Sequence, residues 1–392
     1  MFSRRIPADL RPNALAQLRA ARDPIPFDLT VSNPTQCAIA YPEGLLDPLA
    51  AREGITYRPD PLGLRSAREA VVAEYDRLGE AVDPDRVVLS ASTSEAYALL
   101  FKVLCDPGDA VLVPVPSYPL FEHLAALEGV RALPYPLDPT GGFQPDLAEV
   151  SEVDARALVA VHPNNPTGTY VGAAAASELA SFCARTGTAL IVDEVFHAYP
   201  LPPATPPASF AGPTEALRFR LSGLSKHIGL PQLKLAWIRV DGPRPLVDEA
   251  IERLAFAADN YLSVGTPVQL ALGSLLEQGA VVRRAILERC IANLATLERE
   301  IAGVPGVTLV RPEGGWSAVL RFPRVVSEEA LVLELLDRQG VAVQPGYFFD
   351  FPAEGWLALS LLPHGSVFEP GVRRLLERVS EITPLTSYPG SP

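Results

Sequence analysis

Four short polar stretches carry residue types that can do chemistry: SASTSE (90–95), VHPNNPTG (161–168), VDEVF (192–196) and SGLSK (222–226). Lys226 has the most to explain. An ammonium is costly to dehydrate, so a lysine where a strand runs out is either a solvated surface group or a reactive amine held at the floor of a site. In the second case burial lowers the lysine pKa and yields the neutral nucleophile. Asp193 ends an apolar run, LIVD, and could be a site acid or a helix N-cap. Asn165 precedes Pro166 and could be a hydrogen-bonding side chain, a turn residue, or both. STSEAY (92–97) opens a helical pattern. The free N–H groups and hydroxyls of a helix start bind anions without any basic residue, so Ser92, Thr93 and Ser94 could cradle a phosphate or simply cap the helix.

These stretches need a frame that brings them together. From Val87 to about Val240 short apolar strands alternate with helical patterns: VVLSA, AVLVPV, RALPYPL, ALVAVHP, ALIVDEV, LRFRLSG and LAWIRV. Near-continuous apolar strands joined by helices indicate a mostly parallel sheet covered on both faces. Ligands bind beyond the carboxyl ends of such strands, and all four polar stretches sit at that edge. After Pro267 the pattern changes. A long helix over about 268–303 leads into strands TLVRP, WSAVLRFP, VAVQP and WLALSLL and the helices SEEALVLELLDRQG and PGVRRLLERVS. The expected fold class is α/β, with a large mostly parallel domain at 45–285 and a smaller α+β domain from 1–44 and 286–392. FDLTVSNPT (27–35) joins the smaller one. The proline-rich stretch at 199–213 reads as a surface excursion.

Composition narrows the partners. The 392 residues carry a formal charge of -13, with 48% hydrophobic and 20% charged residues. An acidic globular chain has no general attraction for nucleic acid or anionic membranes. Four cysteines lack C-x-x-C spacing and five histidines lack ligand spacing, so no metal site is expected and a reducing, cytoplasmic setting is. No apolar run approaches signal-peptide or membrane-span length.

Taken together, the stretches resemble the fold-type I pyridoxal phosphate enzymes of the class I/II aminotransferase family, in motif order and over nearly the whole chain. The resemblance implies an aspartate aminotransferase-like fold and pyridoxal 5′-phosphate as cofactor. It implies that Lys226 in SGLSK forms the Schiff base, that Asp193 pairs with the pyridinium nitrogen, and that Asn165 bonds the phenolic oxygen. Ser92, Thr93, Ser94, Ser225 and Lys234 would hold the phosphate. Tyr118 in PVPSYPLF would lie over the ring. Tyr57 in YRPDPLGLRSA would reach the phosphate of a neighbouring subunit, making a homodimer with shared sites. Gly314–Gly315 before Trp316, and Pro345–Gly346, match turns near the substrate.

The chain departs from the pattern in four places. The arginine that usually holds the substrate carboxylate, in R-x-S, is Ala358. The tyrosine three residues after the aspartate is Phe196. The arginine eight residues after the lysine is Lys234, and the serine three residues before it is Gly223. Arg324 and His364 are candidate replacements for the missing anchor, and Asn33 a further polar contact. The implied activity is transamination between an amino acid or amine and a keto acid. The missing arginine keeps open a lyase or decarboxylase on the same fold, and a third reading is a non-catalytic cofactor-binding descendant.

Overall fold

The computed structural model describes residues 2–150, 152–207 and 209–382. Residues 383–392 and Met1, both assigned above to the small domain, lie outside the described residues. The strands, in chain order, are β1 (Phe27–Asp28), β2 (Val87–Ser90), β3 (Ala110–Val115), β4 (Arg131–Asp138), β5 (Gln144–Pro145), β6 (Ala157–Val161), β7 (Ala189–Asp193), β8 (Arg218–Gly223) and β9 (Ala236–Asp241). Then follow β10 (Thr308–Val310), β11 (Ser317–Arg321), β12 (Val341–Ala342), β13 (Gln344–Pro345) and β14 (Trp356–Ser360).

One sheet of eight strands has the order β2-β9-β8-β7-β6-β3-β4-β5. Its centre, from β8 to β4, is parallel. β9 runs antiparallel to both β2 and β8, so β2 points the same way as the parallel set. The carboxyl ends of β2, β3, β6, β7 and β8 therefore share one edge, where β9 begins. The edge strand VVLS and the central strands ALVAV and ALIVD are buried throughout because helices cover both faces. Tyr97 and Phe101 of helix Thr93–Leu104 and Leu254 of helix Arg244–Asp259 pack with Val111, Ile191 and Phe219 on one face. Leu179 and Phe182 of helix Ala173–Thr186 pack with Leu112, Leu158 and Leu190 on the other. Adjacent residues such as Leu190 and Ile191 thus serve opposite cores, the period-two rule of a strand.

A second sheet has the order β10-β11-β14-β13, and β1 pairs in parallel with β12. The expected single strand VAVQP is divided: Val341–Ala342 pairs with β1, whereas Gln344–Pro345 pairs with β14. A continuous apolar run buried on both sides carries no mark of where its partner changes. Helix Thr266–Ile301 runs unbroken for 36 residues, about 54 Å, through the expected domain border at 285/286. It packs on helix Arg65–Arg77 and on helix Gly365–Ile382. No helix among the described residues is long and apolar enough to cross a membrane.

Candidate active site

A cavity of about 510 Å³ opens at the carboxyl edge of the large sheet, roofed by β11, β13, β14 and the segment after β1. Ser92, Thr93, Ser94, Tyr118, Asn165, Asp193, Ser225, Lys226 and Lys234 all line it. Tyr57 does not. It is 73% exposed and lines a separate surface groove with Tyr261 and Ser263.

Lys226 sits in the single helical turn Leu224–His227 that follows β8. Its neighbours anchor it: Leu224 is fully buried, and His227 faces away, its Nε2 2.8 Å from Oε1 of Glu74. The Tyr199 hydroxyl donates to the Lys226 carbonyl at 2.6 Å. Nζ lies 5.5 Å from the ring centroid of Trp316 and 5.9 Å from that of Phe196. Burial among these rings holds the Lys226 pKa below the ordinary lysine range, and the Asp193 carboxylate opposes that shift. The solvated-lysine reading is thereby removed. The glycine at 223 also has a physical reason: a Cβ there would lie 2.7 Å from Cβ of Ala236, so β8 and β9 are too close for a side chain.

Asp193 ends β7 with its carboxylate buried. Oδ2 accepts from the Tyr97 hydroxyl at 3.0 Å and Oδ1 from the Val195 N–H at 3.1 Å. Burial pushes its pKa up to about 6, against the pull of those two donors. Among the described residues no cation reaches it within salt-bridge distance, and the nearest positive charge acting on it is Lys226 across the cavity. The sequence reading missed Tyr97. Its only signal was spacing, one helical turn past Thr93 on the face toward the sheet. Tyr97→Phe is expected to weaken uptake of pyridoxal phosphate by roughly 2- to 13-fold, from about 0.5–1.5 kcal/mol for one hydrogen bond. Titration of the apo protein by absorbance measures this, and an unchanged affinity would reduce Tyr97 to a packing residue.

Asn164 and Asn165 divide their labour. Asn164 is buried and holds the loop, donating to the Pro116 carbonyl at 3.0 Å and to Thr167 Oγ1 at 2.9 Å. Asn165 faces the cavity and accepts from Ser317 Oγ at 3.2 Å. Gly168 lets this loop press on the small sheet's turn: its φ is +70° and a Cβ would meet Pro312 Cβ at 2.4 Å.

At the helix start Ser92 does the capping: its Oγ accepts from the Glu95 N–H at 3.1 Å, while Glu95 Oε2 accepts from the Ala91 N–H at 2.5 Å. Thr93 and Ser94 begin the helix, so their N–H groups have no partner within it. These N–H groups, the hydroxyls of Thr93, Ser94 and Ser225, and the exposed Lys234 ammonium form an anion cup. Lys234 holds a left-handed conformation, with φ +50°.

Three expected contacts fail. Arg324 and His364 are exposed and line no part of the cavity, and His364 instead bonds Ser366 at 2.8 Å. Asn33 caps the short helix Pro34–Gln36 through Thr35. His364 and Asn33 are polar groups satisfied locally and Arg324 is an exposed cation, which sequence alone does not separate from site residues. Gly314, Gly315, Pro345 and Gly346 also stay outside, but their neighbours Trp316, Gln344 and Phe348 line the wall.

Residues 30–379 match the family model described as aminotransferase class I and II. The chain belongs to this family. The aminotransferase is 28% identical over 362 residues to an alanine aminotransferase of Mycobacterium bovis, covering 88% of this chain and 84% of that one. It is 27% identical over 369 residues to a glutamate-pyruvate aminotransferase of Haemophilus influenzae, covering 90% of each. An alanine aminotransferase structure from Pyrococcus furiosus superposes with a TM-score of 0.82 at 24% identity, covering 91% of this chain and 92% of that one. A Thermus thermophilus aspartate aminotransferase mutant gives 0.81 at 24%, covering 98% and 100%. The fold is thus aspartate aminotransferase-like, and the protein is a pyridoxal 5′-phosphate-dependent transaminase. The residues fit that cofactor: a buried carboxylate with no salt-bridge partner, an amine of lowered pKa and an anion cup face one cavity.

Proposed function

We propose that Lys226, Asp193 and Asn165 carry out transamination in this cavity, exchanging the amino group of an amine donor for the oxygen of a carbonyl acceptor. When bound, the cofactor supplies an aldehyde carbon that takes up amines and a ring that accepts electrons from the donor's Cα. Nζ of Lys226 would hold that aldehyde carbon, and as a neutral amine in the cavity it would carry the proton of the donor's Cα as base and then acid. Asp193 keeps a proton on the ring nitrogen through a charge-assisted contact that Tyr97 and Val195 aim. Asn165 donates through its amide nitrogen to the ring's phenolic oxygen while its own oxygen keeps the bond from Ser317. Phe196 offers no second donor there. Thr93, Ser94, Ser225 and Lys234 hold the phosphate, and Tyr118 covers a ring face.

The observation that carries this reading is the joint facing of Lys226 and the buried Asp193 carboxylate into one cavity. Single addition of amine donors to the holoenzyme tests it. Conversion of the cofactor to its amine form is expected, and release of ammonia or carbon dioxide without that form would favour the lyase or decarboxylase reading.

The working unit of this reading is a cytoplasmic homodimer, with 45–285 as the cofactor domain and 1–44 plus 286–392 as the smaller one. Tyr57, Ile55, Phe256 and Tyr261 are exposed by 57–85%, more apolar surface than isolated side chains warrant. A second copy would cover it, with Tyr57 reaching the partner's phosphate cup. Sedimentation as a monomer at micromolar concentration would remove this part of the reading.

A further inference from the structure

The cavity has two chemically different ends. The charged side chains that line it are Asp193, Lys226 and Lys234, all at the cofactor end. The wall supplied by the small sheet is neutral: Trp316, which also flanks Lys226, and Ser317, Gln344, Phe348 and Ser360. Among the described residues no guanidinium lines it. Arg19 touches one wall residue, donating to Thr30 Oγ1 at 3.1 Å, but its other nitrogen holds Asp28 at 2.7 Å.

Position 358 explains what replaces the fork. Ala358 lies directly opposite Gln344 across the β13–β14 pair. Opposed residues present their side chains on one sheet face, so Gln344 projects beside the place an arginine at 358 would occupy. Ala358 is 1% exposed and shares a buried cluster with Phe349 and Trp356. The Gln344 carboxamide lines the cavity and makes no side-chain hydrogen bond among the described residues. It is a donor and an acceptor without a partner. A carboxylate brought to this wall would lose its water and meet no cation, which costs several kcal/mol. A hydroxyl or carboxamide would lose far less and could bond Gln344 both ways.

We propose that this site takes amines bearing a neutral hydrogen-bonding group, a hydroxymethyl or a carboxamide, where an α-amino acid has its carboxylate, and that Gln344 is the residue that reads it. The inference rests on the transaminase reading of Lys226. The donor leaves as the corresponding carbonyl compound, and its nitrogen passes to a second carbonyl compound that likewise lacks a carboxylate at that position. The first half consumes one water as the product carbonyl is released, and the second returns one as the acceptor carbonyl is taken up, so over the cycle oxygen and nitrogen change places.

The test uses stable conjugates in which the cofactor's carbon is joined by a reduced single bond to the nitrogen of alaninol, alaninamide or alanine. They differ only at the reporting group, and their binding to the apo protein is measured by calorimetry. The alaninol and alaninamide conjugates are expected to bind about tenfold or more tightly than the alanine conjugate, about 1.4 kcal/mol. Gln344→Ala should erase that preference without moving the affinity for pyridoxal phosphate itself. Ala358→Arg, if it folds, should reverse it. A tighter alanine conjugate, or no preference, overturns the proposal while leaving the transaminase reading intact. Failure of pyridoxal phosphate and all three conjugates to bind overturns both.

Discussion

Lys226→Ala is expected to abolish the visible band of the lysine-linked cofactor and to slow amine conversion by about 10²–10⁴-fold from lost proton transfer alone. The reason lies in the geometry around Nζ. The amine stands at the end of β8 on a turn held by Leu224, His227 and the Tyr199 bond to its own carbonyl. No second lysine is placed to substitute, since Lys234 is exposed in the anion cup. The fold should survive the change. Removing an ammonium whose pKa is already lowered by burial relieves desolvation, so a melting temperature equal to or above that of the wild type is expected. Retention of the band would mean that another amine carries the cofactor.

Asp193→Asn is the second large effect. The amide is nearly isosteric and can still accept from Tyr97 or Val195, but it cannot offset a protonated ring nitrogen. Loss of one charge-assisted contact, about 1.5–3 kcal/mol, corresponds to roughly 10- to 150-fold weaker cofactor binding near pH 7. The pH dependence separates this from a structural defect. Burial raises the Asp193 pKa to about 6 in the empty site, so the carboxyl is neutral below that pH and charged above it. Cofactor affinity of the wild type should therefore fall as pH drops through 6, whereas the Asn variant should lack that step. Stability of the empty protein runs the other way. A carboxyl whose folded pKa lies above its unfolded value contributes stability below the unfolded pKa and loses it as pH rises through the folded one. Between pH 4 and 6 the empty wild type should thus lose stability relative to Asp193→Asn, and above that window the difference should level off. Parallel pH profiles for the two proteins would refute the assignment.

Much of this site can be read from the chain because its polar residues follow buried strands. Asp193 and Lys226 stand where the buried strands ALIVD and RFRLSG give out, and a parallel sheet must bring such ends to one edge. What escapes is whatever depends on register or on a face inside an apolar helix. Tyr97 reads as a core aromatic until its hydroxyl is seen 3.0 Å from Asp193. Gln344 gains its meaning only from being opposite Ala358, a pairing that neither segment announces. The divided strand VAVQP fails for the same reason. Tyr57 is exposed on the single chain, since the partner it would reach belongs to a second copy.

The most direct test of the central assignment is chemical. Holoenzyme is treated with borohydride, which reduces the bond between cofactor and protein to a stable amine, then digested and sequenced by mass spectrometry. The expected result is one phosphopyridoxyl group, on the peptide containing Ser225 and Lys226, at Lys226. A label on Lys234 or any other lysine, or no label on a protein that holds the cofactor, would contradict it.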